Sequence, residues 1–466
     1  MNNYIRKISR LSLQATCLAL AFIATNPSVS AEVPVRLFNP EYLEGDCSYH
    51  SLTAASDGMI YFTIGTHHEQ SAARIYRYNP SDESIDEIGD LTKILGDDPS
   101  RQILHGKIHT PLIEDEGYLY FSTHTSSYDG NLPNMRPADG RAPYPGGFLM
   151  RYELASGTYE KLAQLQLPNE GIITLTMDTS SDTLYALTWP TGLLLSYNLE
   201  EGLLLNWGAV QERGEWGQLP GEWSFICRRL AMDSAGNLFG STDTGRVWKF
   251  VKGQQRPVEY LPGLNVADVA PSQEGGFELL AEPHYFWFNW RTILWNPNTA
   301  SFWGLQGGST QLFEFTPENL SLRSVHSLRP TTVSADSRRN PFRTQLGLTL
   351  GPDNTLAYLA HAPGIENDDR EPLATSVHLV TYAIGSGKFK DHGPLLASSD
   401  ARVFFAESLE LGLDGHLYTV AWVESTDPAK REAVQKARGK AAPKETEEVI
   451  YEIQLVQLPK WDDLMN

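Results

Sequence analysis

The segment SDGMIYFTIG, residues 56–65, places an Asp-Gly turn pair directly before a run of mostly apolar residues. That arrangement is typical of a β-hairpin leading into a strand. Comparable segments begin at residues 115, 180, 234, 297, 352 and 413. Equivalent positions in the seven segments are Tyr61, Tyr120, Tyr185, Phe239, Phe302, Ala357 and Tyr418. Successive members of that series lie about 60 residues apart, which indicates a repeat architecture.

A second apolar strand follows each repeat segment, as in ARIYRYNP (73–80), and a third follows most of them, as in SIDEIGDL (84–91). Seven units of about four short strands, with almost no helical periodicity, predict an all-β chain folded as a seven-bladed β-propeller. The last unit runs out after EVIYEIQLVQL (448–458) and lacks a fourth strand. The segment VPVRLF (33–38) is therefore predicted to complete the last blade and close the ring.

Residues 1–31 have the layout of a secretory signal peptide. Arg6, Lys7 and Arg10 form a basic leader, residues 11–24 are mostly apolar, and SVSA (28–31) supplies a small-residue cleavage site. We expect export to the periplasm or the medium, with residues 32–466 forming a single propeller domain.

The charge of the chain excludes one class of partner. The formal net charge is −20, and removing the three basic leader residues would make the mature chain still more acidic. Such a chain would repel the nucleic-acid backbone, so we expect no nucleic-acid partner. Beyond the leader, no apolar run is long enough to span a bilayer. Cys47 and Cys227 would remain and could pair, although two cysteines are no disulfide framework. The sequence leaves the oligomeric state open.

Equivalent positions of the repeat carry polar side chains at one end of the predicted blades. In a propeller the first strand of a blade begins, and the second strand ends, on the same face, so these positions gather around the mouth of the central channel. Eleven residues before the repeat positions lie His50, His109, Thr174, Arg228, Arg291, Leu346 and Glu407; four after them lie Gly65, His124, Trp189, Asp243, Gln306, His361 and Trp422. A purely structural repeat would favour small or apolar residues here, so the enrichment predicts a functional site.

We predict that His109 and His124 are neighbours at this mouth and are catalytic. The predicted substrate-binding residues are His50, Arg228, Arg229, Arg291, Trp189, Trp422 and His361. Arg228 and Arg229 are alternatives, because a shift of one residue along a strand exchanges which side chain faces inward. Structural roles stay open: the tryptophans could pack at blade junctions, and Glu407 and Asp243 could merely pair with arginines.

The segment after His124, residues 125–147, is a long loop of turn-forming residues that contains Tyr128, Arg136, Arg141 and Tyr144. Loops of this length without a strand pattern tend to be functional or disordered. We expect it to leave the same face and to form a wall of the substrate site, with Tyr128 or Tyr144 as a catalytic tyrosine.

Several familiar chemistries lack their motifs in this sequence. No G-x-S-x-G elbow, Walker loop or dinucleotide fingerprint appears. Hydrolysis of a glycosidic bond would need two facing carboxylates, and Asp243 and Glu407 belong to blades across the ring from one another. Either no cofactor is required or one divalent ion (Zn, Mn or Ca) is bound, with His105 and His109, or His50, His109 and His124, as ligands.

The residue types at the mouth suit β-elimination on a uronic acid. Removal of the proton beside a carboxylate requires that the carboxylate be neutralised, so that the carbanion is stabilised as an enolate-like species. Arginine, protonated histidine or a metal can do this. A histidine or tyrosine then removes the C5 proton, and another protonates the leaving glycosidic oxygen.

The order KIHT (107–110), YLYFSTH (118–124) and YPGGFLMRYEL (144–154) resembles secreted β-propeller polysaccharide lyases. The similarity is to the ulvan-lyase families and, more distantly, to the oligogalacturonate lyases. It implies an anionic, uronate-containing polysaccharide or oligosaccharide as substrate, with His109 and His124 as the histidine pair. It also implies Tyr128 or Tyr144 as the tyrosine and Arg228 or Arg291 as the neutralising arginine. The late His-x-His metal pair of the oligogalacturonate lyases is missing from this sequence.

Two other function classes remain open from the sequence. One is a non-catalytic carbohydrate- or protein-binding propeller, since the fold alone is no evidence of chemistry. The other is a metal-dependent, lactonase-like hydrolase, for which Asp243, Glu407 and His50 are the available ligands.

Overall fold

The regular secondary structure of the described residues is almost entirely β-strand. The computed structural model describes residues 32–126, 137, 139–215, 223–253, 257–269, 285–286, 288–307, 309–331, 345–362, 376–397, 401–439 and 449–466. The predicted leader (1–31), Tyr128 and Arg136 lie outside the described residues. No helix among the described residues has the length and apolar character needed to cross a membrane.

Five four-stranded antiparallel sheets follow one another along the chain. Sheet 1 contains β2 (Leu52–Ala54), β3 (Ile60–Ile64), β4 (Arg74–Asn79) and β5 (Ser84–Asp90). Sheet 2 contains β6 (Ile113–Asp115), β7 (Tyr118–Ser122), β8 (Phe148–Glu153) and β9 (Thr158–Gln164). Sheet 3 contains β10 (Gly171–Asp178), β11 (Thr183–Trp189), β12 (Leu193–Asn198) and β13 (Leu203–Ala209). Sheet 4 contains β15 (Ala231–Met232), β16 (Leu238–Ser241), β17 (Arg246–Phe250) and β18 (Glu259–Asn265). Sheet 5 contains β20 (Trp290–Asn296), β21 (Ser301–Gln306), β22 (Gln311–Thr316) and β23 (Ser321–Ser327).

The remaining strands form one nine-stranded sheet and one short parallel pair. The large sheet contains β24 (Leu348–Leu350), β25 (Thr355–Ala362), β26 (Ser376–Ala383), β27 (Lys388–Ala397), β28 (Val403–Ala406), β29 (Glu410–Leu411), β30 (His416–Glu424), β31 (Tyr451–Lys460) and β1 (Val33–Phe38). The parallel pair is β14 (Trp223–Ser224) with β19 (Tyr285–Phe286). The helical segments are α1 (Leu91–Leu95), a 3-10 turn (Val266–Val269), α2 (Pro428–Arg438) and α3 (Trp461–Met465).

The repeat seen in the sequence corresponds to the first hairpin of each unit. All seven equivalent positions fall in the second strand of their unit, namely β3, β7, β11, β16, β21, β25 and β30. The turn before β7 shows why turn residues recur there: Glu116 has φ of 47° and Gly117 has φ of 81°, as tight hairpins with right-handed strand twist require. The turn-then-strand pattern thus predicts this hairpin correctly.

The N-terminal strand joins the two ends of the chain, as predicted. In β1, Arg36 lies opposite Gln457 and Leu37 opposite Val456 in an antiparallel pairing with β31. The start of β1 also pairs in parallel with β27, where Val33 lies opposite Leu395. Because β1 bridges β27 and β31, strands β24–β31 belong to one continuous sheet.

The hydrophobic core consists of layers between neighbouring sheets, and these layers follow one another in a closed order. Separate clusters join sheet 1 to sheet 2, sheet 2 to sheet 3, sheets 3, 4 and 5 together, and sheet 5 to β25 and β26. Another joins β25–β27 to β30 and β31. The last layer packs Tyr418 and Val420 of β30 against Ile60 and Phe62 of sheet 1. The final strands thus bury their apolar residues against the first sheet.

Cys47 and Cys227, whose pairing the sequence leaves open, are both buried free thiols, so they form no bond with each other. The charged segment after β30 contains the short helix α2, whose first turn is capped by the Asp427 carboxylate accepting from the Ala429 N–H at 2.9 Å.

Adjacent residues of β1 offer a test of the closing strand. Val35 is buried within the layer that joins β27 to β31, whereas Arg36 is exposed and pairs with exposed Glu83. We expect Val35→Ala to lower the free energy of unfolding by about 2 kcal/mol and Arg36→Ala by less than about 1 kcal/mol. Urea unfolding of both variants measures the difference. Equal effects would mean that β1 does not pack as described.

Candidate active site

Six of the predicted site residues form what we call the mouth cluster: His50, His109, His124, Arg228, Arg229 and Arg291. His50, His109 and Arg228 lie just before the first strands of sheets 1, 2 and 4, and Arg291 is the second residue of β20. His124 follows the second strand of sheet 2. All except Arg229 are almost completely buried. Their mutual interactions, described below, place them close together although up to 241 residues separate them in sequence.

His109 is held as a neutral imidazole in a defined tautomer. Its Nδ1 lies 3.0 Å from the carbonyl oxygen of Ile173; a carbonyl only accepts, so Nδ1 carries the proton and Nε2 the lone pair. Tyr49 stacks on the ring at 4.0 Å between centroids. Burial, reinforced mainly by the charge of Arg228, lowers the pKa of His109 well below its usual value. The available nitrogen is therefore a proton acceptor.

His124 adjoins His109, as the repeat predicted. The two ring centroids are 5.9 Å apart and nearly perpendicular, and the other side of His124 meets the edge of Trp189 at 5.2 Å. Burial, followed by the charge of Lys107, lowers the pKa of His124 well below its usual value. Its position depends on Gly171, where a Cβ would overlap the Nδ1 atom of the ring.

Gly171→Ala is therefore expected to displace His124 from His109. The backbone at Gly171 does not require a positive φ, so the effect would come from the overlap alone and lower the free energy of unfolding by about 1–3 kcal/mol. Histidine ring NMR signals would report the displacement, and urea unfolding the stability. Gly385→Ala is the matched control because a Cβ there would meet nothing within 4 Å. Unchanged ring signals of His109 and His124 in Gly171→Ala would contradict the described packing.

His50 and Arg229 form a neutral–cationic pair. Arg229 Nη1 donates to His50 Nδ1 at 3.1 Å, and since a guanidinium only donates, the His50 proton is on Nε2. That Nε2–H is buried and has no hydrogen-bond partner among the described residues. Burial, then the charges of Arg229 and Arg291, lower the pKa of His50 well below its usual value. Nearby, burial raises the pKa of Glu410 to about 7, against the opposing charge of Arg229.

The other two arginines of the cluster bind buried carboxylates. Arg228 forms a two-pronged ion pair with Glu215, with Nη1 at 2.5 Å from Oε2. Arg291 Nη2 donates to Glu407 at 2.9 and 3.1 Å. The structure thus assigns an ion-pair role to Glu407. Of the three arginines, Arg229 is the one whose hydrogen bond is to a neutral partner.

Asp243, whose repeat register predicted a place at the mouth, pairs with an arginine outside the mouth cluster. It is buried, accepts from Ser224 Oγ at 2.8 Å, and lies 3.7 Å from Arg213 Nε. Its ion-pair partner is therefore Arg213 rather than an arginine of the mouth cluster. Burial raises the pKa of Asp243.

His105 and Tyr144 belong to a separate hydrogen-bonded group. His105 Nδ1 lies 2.8 Å from Thr123 Oγ1 and 3.0 Å from Tyr144 OH, while His105 Nε2 lies 3.6 Å from the Asp97 carboxylate. Burial lowers the pKa of His105 to about 3, raises that of Asp97 to about 6, and raises that of Tyr144. The Tyr144 phenol is therefore neutral, buried and already bonded. A catalytic role for Tyr144 stays a prediction, as it does for Tyr128.

Trp422 and His361 share a packing partner. The Trp422 ring meets Phe405 at 4.6 Å and nearly perpendicular, and His361 meets the same ring at 5.7 Å. Trp422 is only 8% exposed and belongs to the layer between β30 and sheet 1. The structure thus gives Trp422 the packing role that the sequence left open, while Trp189 is partly exposed beside His124.

The predicted metal ligands do not converge through their Nδ1 atoms. In His105 this atom faces Thr123 and Tyr144, and in His109 it donates to a carbonyl. A divalent ion bound by His105 and His109 would have to be coordinated by both Nε2 atoms. Binding of such an ion remains a prediction.

Another group, Asp46, Cys47 and His67, has ligand atoms within 4.8 Å of one another. Burial opposes ionisation of Asp46, but the charges of His67, Lys107 and Arg438 together hold the pKa of its carboxyl below the usual value. Asp46 thus serves as a counter-ion for neighbouring cations, and those cations would repel a bound metal ion.

Several residues of this region were not found from the sequence. Tyr49 adjoins His50 in the chain, but aromatic neighbours carry no signal of stacking. Glu215 lies in the connection after β13, and Glu410 lies in β29, three residues after the register that holds Glu407, so both fall outside the two repeat registers. Lys107 is fully buried and donates to the carbonyls of Thr125 and Ser126 at 3.1 and 3.2 Å. Burial lowers the Lys107 pKa to about 8; only its position between two predicted site histidines could have signalled it.

The buried neutral histidines make stability depend on pH. His50, His105, His109 and His124 have folded-state pKa values below the unfolded value of about 6.5. Below that pH the unfolded chain binds protons that the folded chain excludes, so stability is present above pH 6.5 and is lost as the pH falls. Each histidine contributes up to about 1.4 kcal/mol per pH unit. His67 and His392 also have lowered pKa values, while the raised pKa values of buried or partly buried carboxyls act in the opposite direction as the pH falls, namely those of Asp97, Glu170, Asp243, Glu407 and Glu410.

We therefore expect the free energy of unfolding to fall as the pH drops below 6.5, by about 1.4 kcal/mol per pH unit for each histidine whose contribution no carboxyl offsets. Urea unfolding at several pH values measures it. His105→Gln removes one of these histidine contributions and should reduce the slope by about 1.4 kcal/mol per pH unit. A stability that does not change between neutral and mildly acidic pH would contradict the described burial.

Comparison with known proteins identifies the fold and nothing finer. No protein-family model matches this chain, and no curated protein matches it. The solved WD40 repeats of RRP9 align with a TM-score of 0.51 at 10% identity, over 91% of this chain and 97% of theirs. A protein from Lactobacillus plantarum aligns with a TM-score of 0.50 at 11% identity, over 80% of this chain and 93% of its own. WD40 repeats form β-propellers, and together with the stacked four-stranded sheets these likenesses show that the chain has a β-propeller fold.

Proposed function

We propose that this protein is an exported seven-bladed β-propeller that cleaves a uronate-containing anionic polysaccharide, ulvan-like in chemistry, by β-elimination. The observation that carries the proposal is His109, a neutral imidazole whose tautomer leaves Nε2 as a base beside His124 and the three arginines. The seven repeat positions and the closed order of the core layers support seven blades. The basic and apolar leader supports export.

Binding of the substrate carboxylate is assigned to Arg229 and His50. Arg228 and Arg291 already hold buried carboxylates, whereas Arg229 donates to neutral His50. An incoming carboxylate can accept from the Arg229 guanidinium and from the His50 Nε2–H, which satisfies a buried donor and places positive charge where the enolate-like charge develops. This assignment uses Arg229, the register alternative to Arg228, in place of the Arg228 or Arg291 that the resemblance implies as the neutralising arginine.

His109 and His124 then move the protons. His109 Nε2 takes the C5 proton, the electrons of the C5–H bond form the C4–C5 double bond, and the C4–O bond breaks. The leaving oxygen takes a proton from His124 in its protonated form. A bound uronate would raise the pKa of both imidazoles relative to the empty site, since its negative charge offsets that of the arginines. Neither step requires a metal ion, and both steps are also compatible with a bound divalent ion.

The direct test is incubation of the purified protein with uronate polysaccharides while the ultraviolet absorbance of the unsaturated product is followed. We expect absorbance to rise with the parent protein and to be strongly reduced in Arg229→Met. Absence of product from every uronate polymer tried, with binding still measurable, would replace the lyase assignment by the alternative of a carbohydrate-binding propeller. The observation that favours this alternative is the pairing of Arg228 and Arg291 with Glu215 and Glu407, which suits a structural role as well.

A further inference from the structure

A polar cleft lies between sheets 3 and 4, outside the mouth cluster. Its volume is about 170 Å³, and its walls include Gln211 and Arg213 from the connection after β13, Asp243 after β16, Arg246 of β17 and Tyr260 of β18. The proposed chemistry uses none of these residues. The volume is of the order of one sugar unit.

Gln211 shows that the cleft is missing a hydrogen-bond donor. Its side chain is 4% exposed, and its Nε2 donates to the carbonyl of Arg213 at 2.8 Å. This bond fixes the orientation of the amide, and the buried Oε1 then has no hydrogen-bond partner among the described residues. A buried acceptor without a donor costs about 1–3 kcal/mol, so a ligand hydroxyl that donates to Oε1 would recover that energy.

The other walls supply both a flat surface and charges of each sign. The guanidinium of exposed Arg246 lies 3.8 Å above the Tyr260 ring, and Tyr260 is fixed by donating from its hydroxyl to the carbonyl of Val210 at 3.0 Å. Asp243 supplies a buried carboxylate that can accept a second hydroxyl, with Arg213 beside it. Hydroxyl acceptors in the interior and a cation at the exposed edge match a sugar that carries an acidic group.

Two features of the chain relate the cleft to the mouth cluster. Asp243 occupies the same repeat register as His124 and Trp189, four residues after the repeat position. Glu215, the partner of Arg228 in the mouth cluster, lies only two residues after Arg213.

We propose that this cleft is a second carbohydrate subsite, which binds one acidic sugar unit of a polymer whose neighbouring unit reaches the mouth cluster. The inference rests on the proposed function for its substrate class, but the binding itself does not depend on cleavage. Gln211 Oε1 and Asp243 accept sugar hydroxyls, and Arg246 faces the acidic group.

The test measures binding and turnover separately, with glucuronate-containing disaccharide and hexasaccharide as probes. Calorimetric titration of Gln211→Leu and Arg246→Met should show about tenfold weaker hexasaccharide binding, with disaccharide binding at the mouth unchanged. If cleavage is observed, both variants should raise KM for the hexasaccharide without changing kcat. Arg151→Met is the matched control, because Arg151 stacks on Tyr118 in the same way at 4.5 Å but lies on sheet 2.

The outcomes distinguish the two proposals. Weaker hexasaccharide binding in the variants without any cleavage by the parent would support the subsite and refute the lyase. Cleavage by the parent with hexasaccharide affinity and KM unaltered in both variants would support the lyase and overturn the subsite. Because Arg246 is exposed, its variant keeps the test valid even if Gln211→Leu fails to fold.

Discussion

His109→Ala is expected to lower the rate of uronate elimination by about two to four orders of magnitude. The substitution removes the Nε2 lone pair that the bond from Nδ1 to Ile173 holds available. Neighbouring His124 does not take its place, because the proposed mechanism uses His124 as the acid that protonates the leaving oxygen. Product absorbance under saturating substrate gives kcat, and a binding titration shows whether substrate still enters the site.

The matched control is His416→Ala. His416 also donates from Nδ1 to a carbonyl, that of Leu458 at 2.8 Å, but it lies at the start of β30, away from the mouth cluster. Loss of activity should therefore be confined to His109→Ala, with binding largely retained. Equal kcat in the parent and in His109→Ala would remove His109 as the base and leave the elimination mechanism without its main support.

Glu407→Gln is expected to lower the free energy of unfolding by about 3–5 kcal/mol. Glu407 and Arg291 are both buried and joined by two hydrogen bonds, so the neutral amide would leave a buried guanidinium without its counter-charge. Burial raises the pKa of Glu407, and the charge of Arg291 opposes that rise. The substitution removes the carboxylate and therefore the attraction between these two buried charges. Urea unfolding at neutral pH measures the loss.

Two comparisons show whether burial causes this loss. Glu83→Gln breaks the exposed pair with Arg36, whose two bonds of 2.6 Å are shorter than those of the buried pair, and should cost no more than about 1 kcal/mol. Adding Arg291→Met to Glu407→Gln removes the unpaired charge and should recover most of the stability. A loss in Glu407→Gln no larger than that in Glu83→Gln would show that the Glu407–Arg291 pair is accessible to solvent.

Part of the candidate site could be predicted from repeat registers alone. The two registers correctly placed His124 beside His109, and the register before the first strand placed His109, His50, Arg228 and Arg291 in one region. Trp422 shows the limit of this reasoning. It shares its register with His124, yet its ring is packed against Phe405 in a core layer. A register fixes the height of a residue along a strand, whereas its neighbours decide whether the side chain meets solvent.

The choice of the arginine that binds the substrate carboxylate shows a second limit of prediction from repeat registers. The choice between Arg228 and Arg229 depended on a carboxylate, Glu215, in a connection that has no counterpart in the repeat. Pairing the two residues requires the connection after β13 to fold back over the start of β15. No local pattern encodes that geometry, because loop paths follow from contacts made only after the sheets are assembled.

The amino-acid sequence by itself determined the strands, the hairpins and the closing role of β1. These depend on alternation of apolar and polar residues, on turn residues and on an incomplete last unit, all of which are local or repeated. Only the tertiary structure decided the proton position on His109 and His50, the carboxylate partners of Arg228 and Arg291, and the depressed histidine pKa values. Hydrogen-bond partners and desolvation come from residues far apart in the chain, so they exist only once the sheets have packed around a common centre.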